Sequence, residues 1–158
     1  MPPPFDEVLA RYEREIMRFI LRSTRDREDA LDLFQETWLR AYRAYPELES
    51  PEGVRPWLYR IATNLCLNRS RDRARRAQVI ADGIGIDDHA PVVSDHGRDD
   101  WIHLKTVIDR LPRKQRTAIL MRKFGGLDYD EIGRAIGCSV ESARADVYQA
   151  MKKLRLTE

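Results

Sequence analysis

No stretch of this sequence stays apolar for anything near the roughly 20 residues that cross a bilayer. Its longest apolar runs are of the size of Ala118–Met121. The opening residues, Met1 to Glu7, lack the basic-then-apolar order of a signal peptide. Cysteine is scarce: Cys66 and Cys138 cannot frame a disulfide scaffold, so a reducing, cytoplasmic setting is expected. Neither belongs to a Cys-x-x-Cys pair, which reads both as small packing residues. His89, His96 and His103 recur every seven residues. On a helix each such step is roughly 10 Å, too far to share one ion. No metal, cofactor or small-molecule substrate is expected. Nucleophile elbow, P-loop, dinucleotide fingerprint and acid–base cluster are all missing, which leaves an enzyme the weakest reading.

A strong charge of one sign is missing too. The net charge is only +2 over 158 residues, which by itself argues against a strongly basic nucleic-acid binder. The distribution changes that. Residues 1–52 carry a net −4, residues 53–76 a net +6, residues 77–100 a net −5 and residues 101–158 a net +5. Fields are screened beyond about 10 Å at roughly 0.1 M salt, so blocks of one sign matter more than the total.

What is present is helical periodicity, with no convincing strand pattern and no internal repeat. Phe5, Val8, Leu9, Tyr12, Ile16, Phe19 and Ile20 mark one amphipathic helix. A second runs from about Asp26 to Tyr45, with Ala30, Leu31, Phe34, Trp38, Ala41, Tyr42 and Tyr45 as its expected buried stripe. Pro46 ends it, and residues 46–55 read as a loop. Pro56 suits the first turn of a third helix, which is expected to reach about Arg76 and to bury Leu58, Ile61, Ala62 and Leu65. Residues 77–100 lose the period and hold six Asp, three Gly and one Pro, the composition of a linker. Periodicity returns at Trp101, and a helix opened by Pro112 stops at Gly125 and Gly126. Asp128 and Glu131 have capping-box spacing, and Ser139 is placed to cap the last helix. The fold expected is all-α: two small helical domains, residues 5–76 and 101–156, joined by a flexible acidic linker over 77–100.

Three constellations stand out. Near the C-terminus a short helix, a Gly-containing turn and a second helix follow helix-turn-helix grammar, with Ala135 and Gly137 expected to let the helices approach. Glu141, Ser142, Arg144, Ala145, Tyr148 and Lys152 then face away from Val140, Ala143 and Val147, where a DNA groove would lie. Lys153 and Arg155 are placed for phosphates. An ordinary helical hairpin with a solvated charged face would show the same spacing. On the third helix, Arg60, Asn64, Asn68, Arg71 and Arg75 form one stripe of about 22 Å, begun by Trp57 with Tyr59 nearby. Cations that track phosphates, amides that meet base edges and aromatics that stack suit single-stranded or opening DNA. A solvated arginine-rich face fits the stripe equally well. On the second helix, Asp32, Gln35, Glu36, Leu39 and Arg43 sit away from Trp38 and Ala41. That pattern would suit docking onto a partner helix, although spacing alone favours a plain solvent face.

Taken together these stretches resemble the extracytoplasmic-function (ECF) sigma factors of bacteria, over about residues 5–76 and 101–156. Asp32–Ala41 looks like the segment of sigma region 2 that binds core RNA polymerase. Arg55–Asn64 looks like the segment that melts and reads the −10 element. Leu111–Arg116 with Gly126–Cys138 looks like sigma region 4. The resemblance implies a transcription initiation factor that binds core polymerase, directs it to promoters and opens the −10 region, with no active site of its own. It implies polymerase contacts at Asp32, Gln35, Glu36, Leu39 and Arg40. It places −10 contacts at Trp57, Arg60, Asn64, Asn68, Arg71 and Arg75, and a base-capturing loop at residues 46–55. It implies −35 contacts by Glu141, Ser142, Arg144, Ala145, Tyr148 and Lys152, and an anti-sigma factor as a further partner. The acidic linker falls where the family threads a tether toward the RNA-exit channel, its six Asp standing in for phosphates. One departure is plain: Asp146 and Gln149 stand where the family's recognition helix often carries cations, while Arg144 keeps a basic position. Asp146 has no cation three or four residues away. Two rival readings share these features: a stand-alone helix-turn-helix regulator, and a sigma-mimicking decoy of an anti-sigma factor.

Overall fold

Three prolines keep the chain extended up to Pro4, and helix α1 (Phe5–Ser23) starts directly after them. Val8, Ile16, Phe19 and Ile20 share its buried face. Each such side chain contributes roughly 1.5–3 kcal/mol by leaving water. Asp26 caps helix α2 (Arg27–Ala44), accepting from the Glu28 N–H at 2.9 Å. Phe5 pins the two helices together: its ring lies edge-on to Tyr42, Tyr45 and Trp38, at 5.3, 5.4 and 5.9 Å. The computed structural model describes residues 2–24, 26–50, 53–81 and 96–155.

Helix α2 buries a different arc from the one expected. Leu31 and Tyr42 are 45% and 64% exposed, while Leu33 and Thr37 are buried. The reason is geometric. Helix α2 packs on α1 and on α3 (Val54–Ala81), which centres its hidden arc on Ala30, Leu33, Thr37 and Ala41. Thr37 tolerates this because its hydroxyl donates to the Leu33 carbonyl at 2.6 Å.

Helix α3 has 28 residues and buries Leu58, Tyr59, Ala62, Leu65, Cys66 and Leu67; Ile61 is only partly covered. It carries on past Arg76 to Ala81, beyond the expected end. Residues 77–80 are all exposed, so periodicity could not report them. Both ends of the tether expected over 77–100 are helical, 77–81 closing α3 and 96–100 opening α4; residues 82–95 lie outside the described residues, as do the side chains of His89, His96 and Trp101.

The C-terminal unit comprises α4 (His96–Asp109), α5 (Arg113–Ile119), α6 (Tyr129–Ile136) and α7 (Val140–Arg155). Helix α5 widens into a π-helical turn, Leu120–Phe124, which the sequence pattern did not show. Gly126 adopts a φ of +69° just after it. The chain is thus all-α. The two helical units also pack on each other, with α3 lying against α6 and against the π turn. Gly125 marks one close approach: a Cβ there would lie 2.8 Å from the Tyr59 ring. The buried Lys105 ammonium donates to the Ser23 carbonyl at 2.6 Å, tying α4 to the end of α1. Arg22 donates to the Phe124 carbonyl at 3.3 Å.

Candidate nucleic-acid interface

The turn between α6 and α7 follows from local chemistry. Asp128 accepts from the Glu131 N–H at 2.8 Å, and Glu131 accepts from the Asp128 N–H at 3.2 Å, completing the capping box. At the other end Gly137 takes a φ of +82°, and the N–H groups of Gly137 and Cys138 both donate to the Gly133 carbonyl. The expected close approach at Gly137 is corrected here: a Cβ on Gly137 meets open space. The tight contact is Gly133, whose Cβ would lie 2.7 Å from the Cys138 carbonyl oxygen. Ser139 accepts from the Ser142 N–H at 3.1 Å and so caps α7.

That geometry turns Ala143, Val147 and Ala150 inward. Glu141, Arg144, Ala145, Tyr148 and Lys152 are exposed and Ser142 is half-buried, so all six residues expected to read DNA are reachable on α7. The Arg144 guanidinium lies 5.2 Å over the Tyr129 ring, and Arg122 lies 4.5 Å over the same ring. Helix α6 thereby positions a cation of α7 by cation–π attraction. Lys153, expected on a phosphate, is exposed and donates one hydrogen bond to Gln115 at 2.9 Å. Asp146 is half-buried and makes no ion pair among the described residues.

On α3 the stripe is also accessible. Arg60, Asn64, Arg71 and Arg75 are exposed and Asn68 is half-buried. Tyr59, expected near this face, is buried instead, with its ring 4.9 Å from Phe19 and its hydroxyl donating to Glu15 at 2.8 Å. Burial, then the Glu15 carboxylate, push the Tyr59 phenol well above its ordinary range. Trp57 is half-buried, 6.3 Å from the Tyr45 ring. It forms one wall of an open groove of about 470 Å³, whose rim is Glu47, Leu48, Glu49, Ser50 and Gly53. Pro51 and Glu52 of that loop lie outside the described residues.

The exposed side of α2 carries Asp32, Gln35, Leu39 and Arg40, with Glu36 half-exposed and accepting from Arg40 at 2.9 Å. Leu39 is 49% exposed, and Leu31 and Tyr42 flank it at helical spacing. This face is therefore more apolar than its sequence suggests, since two side chains assigned to the core belong to it.

Sequence reasoning missed the contacts that join the two units. Arg55 donates to Glu15 at 3.1 Å and to Glu131, and its guanidinium lies 5.3 Å from the Tyr59 ring. Burial alone would lower the Arg55 pKa, but hydrogen bonds and charge from Glu131 and Glu15 hold it above its ordinary value. Arg113 reaches the Asn64 amide oxygen at 3.4 Å, so one residue of the stripe touches the other unit. No local signal marks such pairs, because Arg55 and Glu131 lie 76 residues apart.

Two family models match the chain in this order: sigma-70 region 2 over residues 8–76, and sigma-70 region 4 over residues 103–154. With a helix-turn-helix in the second and a cationic helix in the first, they define a two-region sigma factor. The probable RNA polymerase sigma-C factor of Mycobacterium bovis is 32% identical over 147 residues, spanning 90% of this chain and 76% of the relative. The RNA polymerase sigma-H factor of Pseudomonas aeruginosa is 29% identical, over 95% of this chain and 83% of its own length. The ECF RNA polymerase sigma factor SigE of Mycolicibacterium smegmatis is 30% identical, over 97% of this chain but only 61% of the relative. The chain belongs to the ECF family of RNA polymerase sigma factors. The fold is shared with the sigma factor RpoE solved in complex with the anti-sigma factor NepR from Bartonella quintana. That match has a TM-score of 0.66 and 24% identity, covering 96% of this chain and 94% of the other. CnrH, solved with the cytosolic domain of CnrY, gives a TM-score of 0.68 at 20% identity, covering 97% of this chain and 86% of that one.

Proposed function

We propose that this chain binds core RNA polymerase through the outer face of α2, reads and opens the −10 element with α3, and reads the −35 element with α7. The carrying observation is that three separate faces are accessible at once: Leu31, Leu39 and Tyr42 with their acidic neighbours, the α3 stripe, and the α7 face. A stand-alone regulator would leave the first of these without a use. The groove beside Trp57 suits a base extruded from the duplex, whose unstacking costs a few kcal/mol and is offset by pocket contacts. Catalysis is assigned to the polymerase and none to this chain, which acts in the cytoplasm where that enzyme works. No described helix is long and apolar enough to cross a membrane.

The docked arrangement would have to open on a promoter. The −10 and −35 elements lie about 25 base pairs apart, roughly 85 Å of duplex at about 3.4 Å per pair. A compact chain of 158 residues has a radius of gyration of roughly 15 Å. The two reading helices would reach both elements only after α3 and α6 part. An anti-sigma protein that holds them together is the partner class expected to oppose initiation. The test is run-off transcription with purified protein and core polymerase on a promoter library. Initiation at a defined −35/−10 pair is expected, and failure to bind core enzyme overturns the assignment.

A further inference from the structure

A second cationic feature shares only Arg71 with the α3 stripe and nothing with the recognition helix. Between the end of α1, the middle of α3 and the α4–α5 corner lies a cleft of about 440 Å³. Seven cationic side chains line it against two carboxylates, Asp29 and Asp109, leaving five positive charges in excess. Asp29 is already committed: one oxygen accepts from Arg69 at 2.7 Å and the other from Arg73. Four guanidinium groups stay short of acceptors. Arg71 and Arg110 are exposed and make no ion pair among the described residues. Arg113 has the long 3.4 Å bond to Asn64. Arg116 donates from one terminal nitrogen to the Asp109 backbone carbonyl at 3.1 Å, yet its Nε is fully buried with no acceptor. Burial draws the Arg116 pKa down; Asp109 opposes this and Arg113 adds to it.

We propose that this cleft binds an oligophosphate anion, which bridges Arg71 of the N-terminal unit and Arg110, Arg113 and Arg116 of the C-terminal unit. A guanidinium fork matches pairs of phosphoryl oxygens, and the partly exposed Arg116 belongs to the cleft lining. One carboxylate or sulfate balances little of a five-charge excess; a chain of phosphoryl groups balances most of it. The volume falls within the usual range for small-ligand sites. It is also too small to admit duplex DNA. Leu67, Ala74 and Ala77 give the α3 wall an apolar stretch against which a nucleoside would lie. The anion is therefore either a free oligophosphate or one carried by a nucleoside. Because its ligands come from both units, the bound anion favours the docked arrangement, by linkage.

The test titrates the full chain by calorimetry, at fixed ionic strength near 0.15 M, with tripolyphosphate, ATP and sulfate. Tripolyphosphate is expected to bind at least tenfold more tightly than sulfate. The exposed pair Arg110→Gln with Arg113→Gln is expected to weaken it at least tenfold. Arg116→Lys, which keeps the charge but removes the fork, is expected to weaken it by a similar factor. The pair Arg14→Gln with Arg18→Gln removes equal charge from exposed positions on α1 and is expected to change affinity less than twofold. ATP tighter than tripolyphosphate supports the site with a nucleoside on the apolar wall; ATP equal or weaker supports it with a free oligophosphate. Absence of binding, or equal losses in the cleft and α1 pairs, overturns the proposal.

Discussion

Arg55 and Glu131, 76 residues apart in sequence, meet side chain to side chain where α3 packs on α6. Glu131 serves two ends at once: one carboxylate oxygen caps α6 through the Asp128 N–H, and the other receives Arg55. Glu15 of α1 holds the same guanidinium at 3.1 Å. The contact is about three-quarters hidden from solvent on both sides. It therefore joins the first turn of α3 to the first turn of α6, the leading helix of the helix-turn-helix.

Glu131→Gln separates the two duties of that carboxylate. Glutamine still caps a helix from this position, so α6 is expected to persist, but its neutral amide no longer holds Arg55 as an ion pair. Global stability is expected to fall by about 1–2 kcal/mol, toward the lower end for a hydrogen bond to a charged group, because the amide oxygen still accepts from Arg55. The chain is expected to expand, read as a larger radius of gyration in small-angle scattering, with unchanged helical circular dichroism. Wild-type dimensions and an unchanged urea midpoint would place the strength of the docking elsewhere.

The three faces predict a crossed pattern of defects. Glu36→Ala with Leu39→Ala is expected to weaken binding to core polymerase at least tenfold while sparing promoter opening once the complex is saturated. Arg60→Ala with Arg71→Ala is expected to do the reverse. Stability should hardly enter, since Leu39, Arg60 and Arg71 are exposed and surface changes usually stay within about 0.5 kcal/mol. Pull-down affinity and permanganate footprinting of the −10 region are the two readouts. If both pairs impair both equally, the division of labour is wrong.

Much of this arrangement could be read in advance because it is local. Capping at Asp128 and Ser139, the stop at Gly137 and the buried face of α1 all rest on residues within four positions of each other, which is the range helical chemistry controls. The failures are tertiary. Leu31 and Tyr42 look like core residues on a helix considered alone, and only the angle at which α1 and α3 meet α2 turns them outward. Tyr59 sits one position from an exposed arginine yet is buried, because Phe19 and Gly125 close over it. The Arg55 contact and the buried Lys105 depend on docking between units, for which the pattern of one helix carries no signal.

Alkaline pH is expected to loosen the bundle in two stages. The Cys66 thiol is buried, and that burial pushes its pKa up from about 9 to about 12, with Lys105 and Arg69 pulling weakly the other way. The unfolded thiol ionises first, so its contribution is fully present below about pH 9 and is lost as pH rises toward 12, at about 1.4 kcal/mol per unit. Tyr59 is raised too, by burial and then by Glu15, and adds a second loss above about pH 10. Cys66→Ala is expected to flatten the stability profile between pH 9 and 10 and to roughly halve the slope above pH 10, where only the Tyr59 loss remains. Urea midpoints taken across this range decide it. A Cys66→Ala profile parallel to wild type would mean that the thiol ionises freely in the folded chain.

The helix-turn-helix supplies a contrast between two glycines four residues apart. Gly133 is needed for space, because a Cβ would press to 2.7 Å on the Cys138 carbonyl oxygen, a backbone atom that cannot turn aside. Gly137 is needed for conformation, because its φ of +82° suits few side chains, though space around it is open. Gly133→Ala must therefore move α7 relative to α6, at a cost of about 1–3 kcal/mol. Gly137→Ala strains only the turn, at about 1 kcal/mol, and Gly137→Asn should recover part of that, since asparagine tolerates the left-handed region. No side chain substituted at Gly133 is expected to recover anything. DNA affinity should follow the same division. Gly133→Ala displaces Arg144 and Tyr148 from their places relative to Tyr129, so binding to a −35 duplex should fall more than its stability loss explains. Gly137→Asn should bind nearly as wild type. Thermal melts paired with electrophoretic shifts test both halves, and equal binding by Gly133→Ala and Gly137→Asn would show that the angle between α6 and α7 does not set recognition.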